Sequence, residues 1–250
     1  MKRLTLYRVA VVAIVIAILE WLCLHGTIDR ITMPPPHRIV LDLYKLLASG
    51  SLNKAIAKTL GNASIAFTLA LIVGVISSAV LHGHRAVRDT LDPLFATYYA
   101  IPIFAFYPLL IYLFGLGDGP QIMIGFMLAV VAVIVNTLNG LDRVPVVLLK
   151  TARIHRLTRF EIARTITLPY AMPYVLTGVK LAVAYSLIGV IGSEFIMSRG
   201  GMGYEISFAY TSFDNATMYP LIVLTLLAAI LVNGLLTRWE KVLLQRRGLR

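Results

Sequence analysis

The sequence predicts an all-α integral membrane protein with six transmembrane helices, and three observations carry that reading. Of its 250 residues, 58% are hydrophobic and only 14% charged, and the mean hydropathy is +0.82. No soluble domain of this length has such a composition. Apolar stretches lie at roughly 7–25, 61–82, 93–115, 120–138, 173–195 and 217–237. Each approaches or exceeds the ~20 residues that a helix needs to cross about 30 Å of hydrocarbon, where backbone amides find no water and must bond to one another. The third observation is the placement of the 23 Lys and Arg. With both termini inside, segments 1–8, 83–92, 139–172 and 238–250 face the cytoplasm and carry three, two, six and five of them. Arg30, Arg38, Lys45, Lys54, Lys58 and Arg199 face outward, and Lys180 lies within a span. That asymmetry is the positive-inside pattern. The net charge of +11 therefore reports topology and contact with anionic headgroups, with no nucleic-acid partner.

Lys2, Arg3 and Arg8 precede the first apolar run, which is long for a secretory signal and has no small-x-small site after it, so it reads as an uncleaved anchor. Cys23 is the only cysteine, which leaves no disulfide within the chain and no cysteine-based metal site. The segment "TIDRITMPPPHRIV" is extended by its three consecutive prolines and leads into an amphipathic helix near 39–58. Asn53 and Thr59 are candidate caps for the helix after them, and Ser51 for the piece before Thr59. In the third span Pro93 marks the start, while Pro102 and Pro108 fall inside and predict a broken or bowed helix, bent for packing or around a pathway. "GLGDGP" makes an external turn. Small residues suited to close helix packing are Gly61, Ala66, Gly74, Ser77 and Ser78 in the second span and Gly178, Gly189 and Gly192 in the fifth.

Enzyme chemistry finds no support. There is no His-Glu-x-x-His, nucleophile elbow or phosphate-cradling Gly-rich loop, so neither a catalytic nor a metal site is expected. His82 and His84 would point about 200° apart on a helix and could not share an ion. Charged residues within spans are expensive and draw functional hypotheses. Glu20 lies near the outer end of the first span and suits snorkelling or a partner contact. Lys180 is close enough to the inner surface to reach it. Glu194, at the outer end of the fifth span, either faces the mouth of a cavity or caps a solvated helix end. Asn136 and Asn62 are uncharged alternatives for a polar lining.

The stretch "LLKTARIHRLTRFEIARTITLPYAMP", residues 148–173, is the most informative. Leu149, Ala152, Phe160, Ala163 and Ile166 fall near helical spacing, while Lys150, Arg153, Arg156 and Arg159 recur at every third position. Such a row drifts by about 60° per step, so one straight helix could not keep it on one face. Two short helices with a break around 155–158 could. Leu168-Pro169 is expected to stop the second, with Pro173 in the first turn of the fifth span.

This segment resembles the cytoplasmic coupling loop of bacterial ABC importer permeases of the binding-protein-dependent type. Their pattern is Glu-Ala-Ala, three residues, Gly, nine residues, Ile, one residue, Leu-Pro. Leu168-Pro169 and Ile166 fall in register, which places Arg156 at the glycine and Lys150-Thr151-Ala152 at the Glu-Ala-Ala. "DPLFATYYAIPIFAFYPLLIYLFGLGDGPQI", "VNTLNGL" and "GVIGSEFIMSRGGMGYEI" are similar to the third, fourth and fifth spans of the nitrate/sulfonate/taurine branch, and "MPPPHRIVLDLYKLLASGSLNKAIAKTL" to its lead-in.

The resemblance implies a type I importer fold in the bacterial inner membrane. Its expected parts are an N-terminal helix (1–32), an external segment and amphipathic helix (33–58), a five-helix core (59–238, with the coupling loop at 139–172) and a basic cytoplasmic tail (239–250). The implied partners are ABC ATPase subunits, an external substrate-binding protein and a second permease copy, in a homodimer or alternatively a heterodimer. ATP would be used by the partner, with no cofactor in this chain. The resemblance assigns ATPase coupling to Lys150, Thr151, Ala152, Arg153, Arg156, Ile166, Leu168 and Pro169, and the translocation pathway is expected at Pro102, Pro108, Asn136 and Glu194. Lys150 and Arg156 depart from the pattern. The alternative function is a non-transporting scaffold or receptor subunit with a degenerate loop. Arginine in place of the glycine would either lengthen the first coupling helix or take a left-handed backbone.

Overall fold

Physical chemistry leaves an apolar chain of this kind one architecture, helices that satisfy their own backbones and pack through small residues, and the structure has it. The structure, a computed structural model, describes residues 2–29 and 32–246; Arg30 and the last four residues lie outside the described residues. The helices are α1 (Lys2–Leu24), α2 (Pro36–Ser49), α3 (Asn53–Gly83), α4 (Arg85–Thr97), α5 (Tyr107–Phe114), α6 (Asp118–Asp142), α7 (Val146–Ile154), α8 (Arg159–Ile162), α9 (Leu168–Met197), α10 (Met202–Thr211) and α11 (Asn215–Arg246). Among the described residues, five helical segments are long and apolar enough to span a membrane. There are six if the pair Arg85–Ala100 and Ile103–Phe114, bent by 89°, is one span.

The core is built on α6, which packs against α9 and α3, and these two also meet each other beside it. Along α3 the buried positions include Ala55, Ala63, Ala66, Ala70, Gly74 and Ser78, the three- and four-residue spacing of one helix face filled with small side chains. The α6–α9 seam is tighter. A Cβ on Gly189 would lie 2.6 Å from the Gly125 Cα, so the two backbones touch directly. At the inner end a Cβ on Gly140 would lie 2.9 Å from the Ala171 carbonyl oxygen. Of the other expected packing glycines, Gly74 meets Val133, Gly178 meets Asn136 and Gly192 meets the Phe104 ring, while Gly61 has no neighbour within 4 Å of its missing Cβ.

Several boundaries differ from expectation. Gly50, with φ +70°, ends α2, and α3 starts at Asn53 without a side-chain cap, so the expected helix over 39–58 is two helices. Thr59 caps nothing. It lies buried within α3, and the expected core boundary at 59 falls inside that helix. Pro93 sits within α4; the break comes at Ile101 and Pro102, whose extended and intermediate backbones separate two 3₁₀ turns, and Pro108 occupies the first turn of α5. Leu168-Pro169 does not stop a helix either. The helical backbone runs on from α8 through a π-helical stretch, Ala163–Thr167, into α9, so Pro169 follows directly on the widened π-helical turn and Pro173 lies inside α9.

Helix α1 is largely outside this core, with its apolar side chains from Val9 to Ile18 exposed. It is tied near its outer end, where Glu20 accepts from the His37 backbone N–H at 3.2 Å and pairs with His37 Nδ1 at 2.5 Å. Lys180 pairs with Glu240 of α11 at 2.8 Å, at the inner end of a 410 Å³ groove between α9 and α11. The lysine of this span is thereby partnered by a residue of the segment that follows the last apolar run.

Gly189→Ala should lower the melting temperature of the detergent-solubilised chain, because overpacking a close seam costs about 1–3 kcal/mol. Gly61→Ala, into open space within α3, should not lower it and should raise it slightly, since alanine is the better helix former.

Candidate functional site

The segment from Val146 to Thr167 lies at the end of the α6–α9 pair where α6 stops and α9 starts. Ala152 anchors it, buried to 2% exposure, while Lys150, Thr151, Arg153 and Arg156 are exposed. The expected break lies between Ile154 and Arg159. It is closed on one side by a helix-stop motif: the Leu157 N–H donates to the Ala152 carbonyl at 3.0 Å and the Arg156 N–H to the Arg153 carbonyl at 3.0 Å. Arg156 stands at φ +56°, in the left-handed region where glycine is the usual residue. The arginine therefore keeps the glycine geometry at a cost in backbone energy and does not lengthen the helix. On the other side Thr158 and Glu161 form a reciprocal capping box that starts α8.

What the loop presents is mixed. Ile154 is 79% and Phe160 73% exposed, beside the basic side chains, whereas the core helices bury their contact faces. Ile166 and Pro169 are half-buried and Leu168 is exposed, at the joint between α8 and α9. The root of the loop is held firmly: Val144 is buried, and the Arg143 guanidinium stacks 5.1 Å above the Tyr174 ring.

The expected pathway residues are not together. Pro102 and Pro108 are exposed along the bent span, where the rings of Tyr99 and Tyr185 approach to 5.7 Å. Asn136 lies in the α6–α9 seam and donates to the Ala132 carbonyl of its own helix at 2.8 Å. Asn62 is buried on α3 with its amide nitrogen unpartnered. Glu194 is fully buried, neither at an open mouth nor at a solvated end. Its Oε2 accepts from Thr59 Oγ1 at 2.7 Å and from the Gly203 N–H at 3.1 Å, and Thr59 Oγ1 accepts from the Met202 N–H at 2.8 Å. The carboxyl group thus joins α3 and α9 to the first turn of α10. The turn wraps it so closely that a Cβ on Gly201, itself at φ +106°, would lie 2.3 Å from the carboxyl carbon. Nearby, Gln121 donates to Ser198 Oγ at 3.1 Å and the Tyr107 hydroxyl to the Met197 carbonyl, tying α5 and α6 to the end of α9.

Sequence reasoning missed Thr59 and the Arg88–Asp142 ion pair at the inner end. The former reads as a cap, and the latter as ordinary positive-inside decoration.

This arrangement, a bundle of five or six membrane-length helical segments with a basic helix–break–helix loop between its two closest-packed helices, has the form of a transporter permease. A family model for the binding-protein-dependent transport system inner membrane component matches residues 46–248, so the chain belongs to that family. It is the membrane-embedded translocation subunit of an ABC importer. Among curated relatives, the riboflavin transport system permease RibX of Chloroflexus aurantiacus is 31% identical over 215 residues, 83% of this chain and 80% of the relative. The nitrate import permease NrtB of Synechocystis sp. is 24% identical over 237 residues, 91% of this chain and 84% of the relative. A chain of the MetNI methionine ABC transporter, solved in inward-facing conformations, superposes with a TM-score of 0.66 at 17% identity, covering 76% of this chain and 95% of that one.

Thr59→Val should destabilise the chain by about 1–3 kcal/mol, the desolvation cost of a buried acceptor left unmet, whereas Thr59→Ser retains both bonds. Thermal melts in detergent check both.

Proposed function

We propose that the segment from Val146 to Pro169 docks an ABC ATPase and carries its nucleotide-driven motion into the spans. The supporting observation is the exposure of Ile154 and Phe160 among basic side chains on a loop whose root is locked into the core. Large apolar side chains on a water-facing loop ask for a partner, and the charges beside them ask for an acidic one. Lys150, Thr151, Arg153 and Arg156 face the ATPase in this reading, Ala152 anchors the first helix, and Ile166, Leu168 and Pro169 form the joint that transmits. ATP is hydrolysed in the partner, and this chain contributes no catalytic group or cofactor. Both termini lie in the cytoplasm, on the side of the loop.

A second copy of the chain completes the pathway. We place the pathway along the bent span at Pro102 and Pro108, because non-helical backbone at membrane depth is tolerated where it lines a cavity or is covered by protein. Asn136 and Glu194 are enclosed in helix seams, which favours a packing role for both. An external binding protein delivers a small solute. The solutes in the relatives' names, riboflavin and nitrate, have little size or shape in common. That permeases of one family are named for such different cargo supports selectivity residing largely in the binding protein.

Ile154→Asp with Phe160→Asp should abolish co-purification of the ATPase without lowering the melting temperature, since neither side chain is buried. Retention of the ATPase by this variant would sink the docking reading. Arg156→Gly keeps the left-handed turn while removing the charge. It should weaken ATPase retention by up to about five-fold at low salt, the span of one exposed ion pair, and less at high salt.

A further inference from the structure

At the inner end of the core three elements converge on Asp142, the last residue of α6 and the root of the loop. Arg88 of α4 grips both carboxylate oxygens, with Nη1 2.5 Å from Oδ1 and Nη2 on Oδ2. His82, at the end of α3, places Nδ1 3.4 Å from the same carboxylate, and Asp92 lies 3.6 Å from Arg88 Nε. The Arg88 side chain is only 19% exposed, and a two-pronged guanidinium–carboxylate contact fixes direction as well as distance. What it holds is otherwise loosely held. Helix α4 buries no residue completely and leans on the core through half-buried Leu91 and Phe95. Few buried contacts leave an element free to lag behind its neighbours.

We infer that Arg88 and Asp142 are a positioning pair that makes α4 travel with the coupling loop. The inference rests on the loop docking an ATPase. Asp142 immediately precedes Arg143 and buried Val144, so a displacement of the loop reaches Asp142 first. Through Arg88 it is handed to α4, and α4 runs directly into the broken stretch where Tyr99 meets Tyr185. The pair thus links the ATPase side of the molecule to the bent span along which the pathway is placed.

The test uses the permease–ATPase complex in lipid nanodiscs, with spin labels on Val87→Cys of α4 and Ile196→Cys at the outer end of α9, on a Cys23→Ala background. Val87 and Ile196 are both exposed. The label distance is measured without nucleotide and with ATP plus vanadate. With the ion pair intact the distance distribution should keep its centre and width, because α4 follows the α6–α9 pair. Arg88→Asp and Asp142→Arg should each shift or broaden it on trapping, and should weaken the response of ATP hydrolysis to the binding protein by about ten-fold, within the range of coupling losses along a physical network. The double reversal, Arg88→Asp with Asp142→Arg, should restore both, which loss of folding could not do. Single reversals that leave distance and hydrolysis response unchanged overturn the inference while leaving ATPase docking intact, as does a double reversal that rescues neither. A wild-type permease that retains no ATPase overturns both.

Discussion

Everything in this chain depends on how closely α6 and α9 approach. At Gly125 and Gly189 no side chain separates the two backbones, and the seam continues inward through Asn136 and Gly178 to Gly140 and Ala171. In lipid no hydrophobic force drives helices together, so dispersion across such close contacts, with hydrogen bonds, must do it. The same two helices flank the coupling loop. A loop whose ends are clamped this firmly cannot slide independently of the core, so whatever moves the loop moves the pair.

The polar groups are placed as that constraint requires. Polar groups within the bundle are tolerated where they find partners, and buried Glu194 and partly buried Lys180 each meet groups from other elements. Glu194 fastens the outer end, drawing α3, α9 and the start of α10 around one carboxyl group. At the inner end Arg88 and Asp142 do the same for α4 and α6. The bundle is thus pinned by polar contacts at both ends and sterically along its length.

The spans were legible because lipid imposes a length and a composition, and both are local properties of sequence. The break between α7 and α8 was legible from the drift of Lys150, Arg153, Arg156 and Arg159, and the strain at Arg156 from register to Leu168-Pro169. The helix starts were less so: proline at a first turn and proline inside a helix look alike in sequence, which is why α9 begins at Leu168 and not near Pro173. Partnerships across the fold were not legible at all. Thr59 and Glu194 are 135 positions apart, and nothing local distinguishes a threonine that caps a helix from one that meets a buried carboxyl group. The glycines of the turn carried a faint signal, since Gly201 and Gly203 are spaced to wrap something small and polar.

So close a seam requires α6 and α9 to behave as one inseparable body. Hydrogen exchange of the permease–ATPase complex, compared without nucleotide and with ATP plus vanadate, tests it most directly, because amides between tightly packed helices exchange only when the packing opens. Peptides covering 124–140 and 171–190 should keep the same protection in both states, with changes confined to the loop between Val146 and Ile162. Faster exchange within the α6–α9 seam on trapping would show the two helices parting, and would contradict the account.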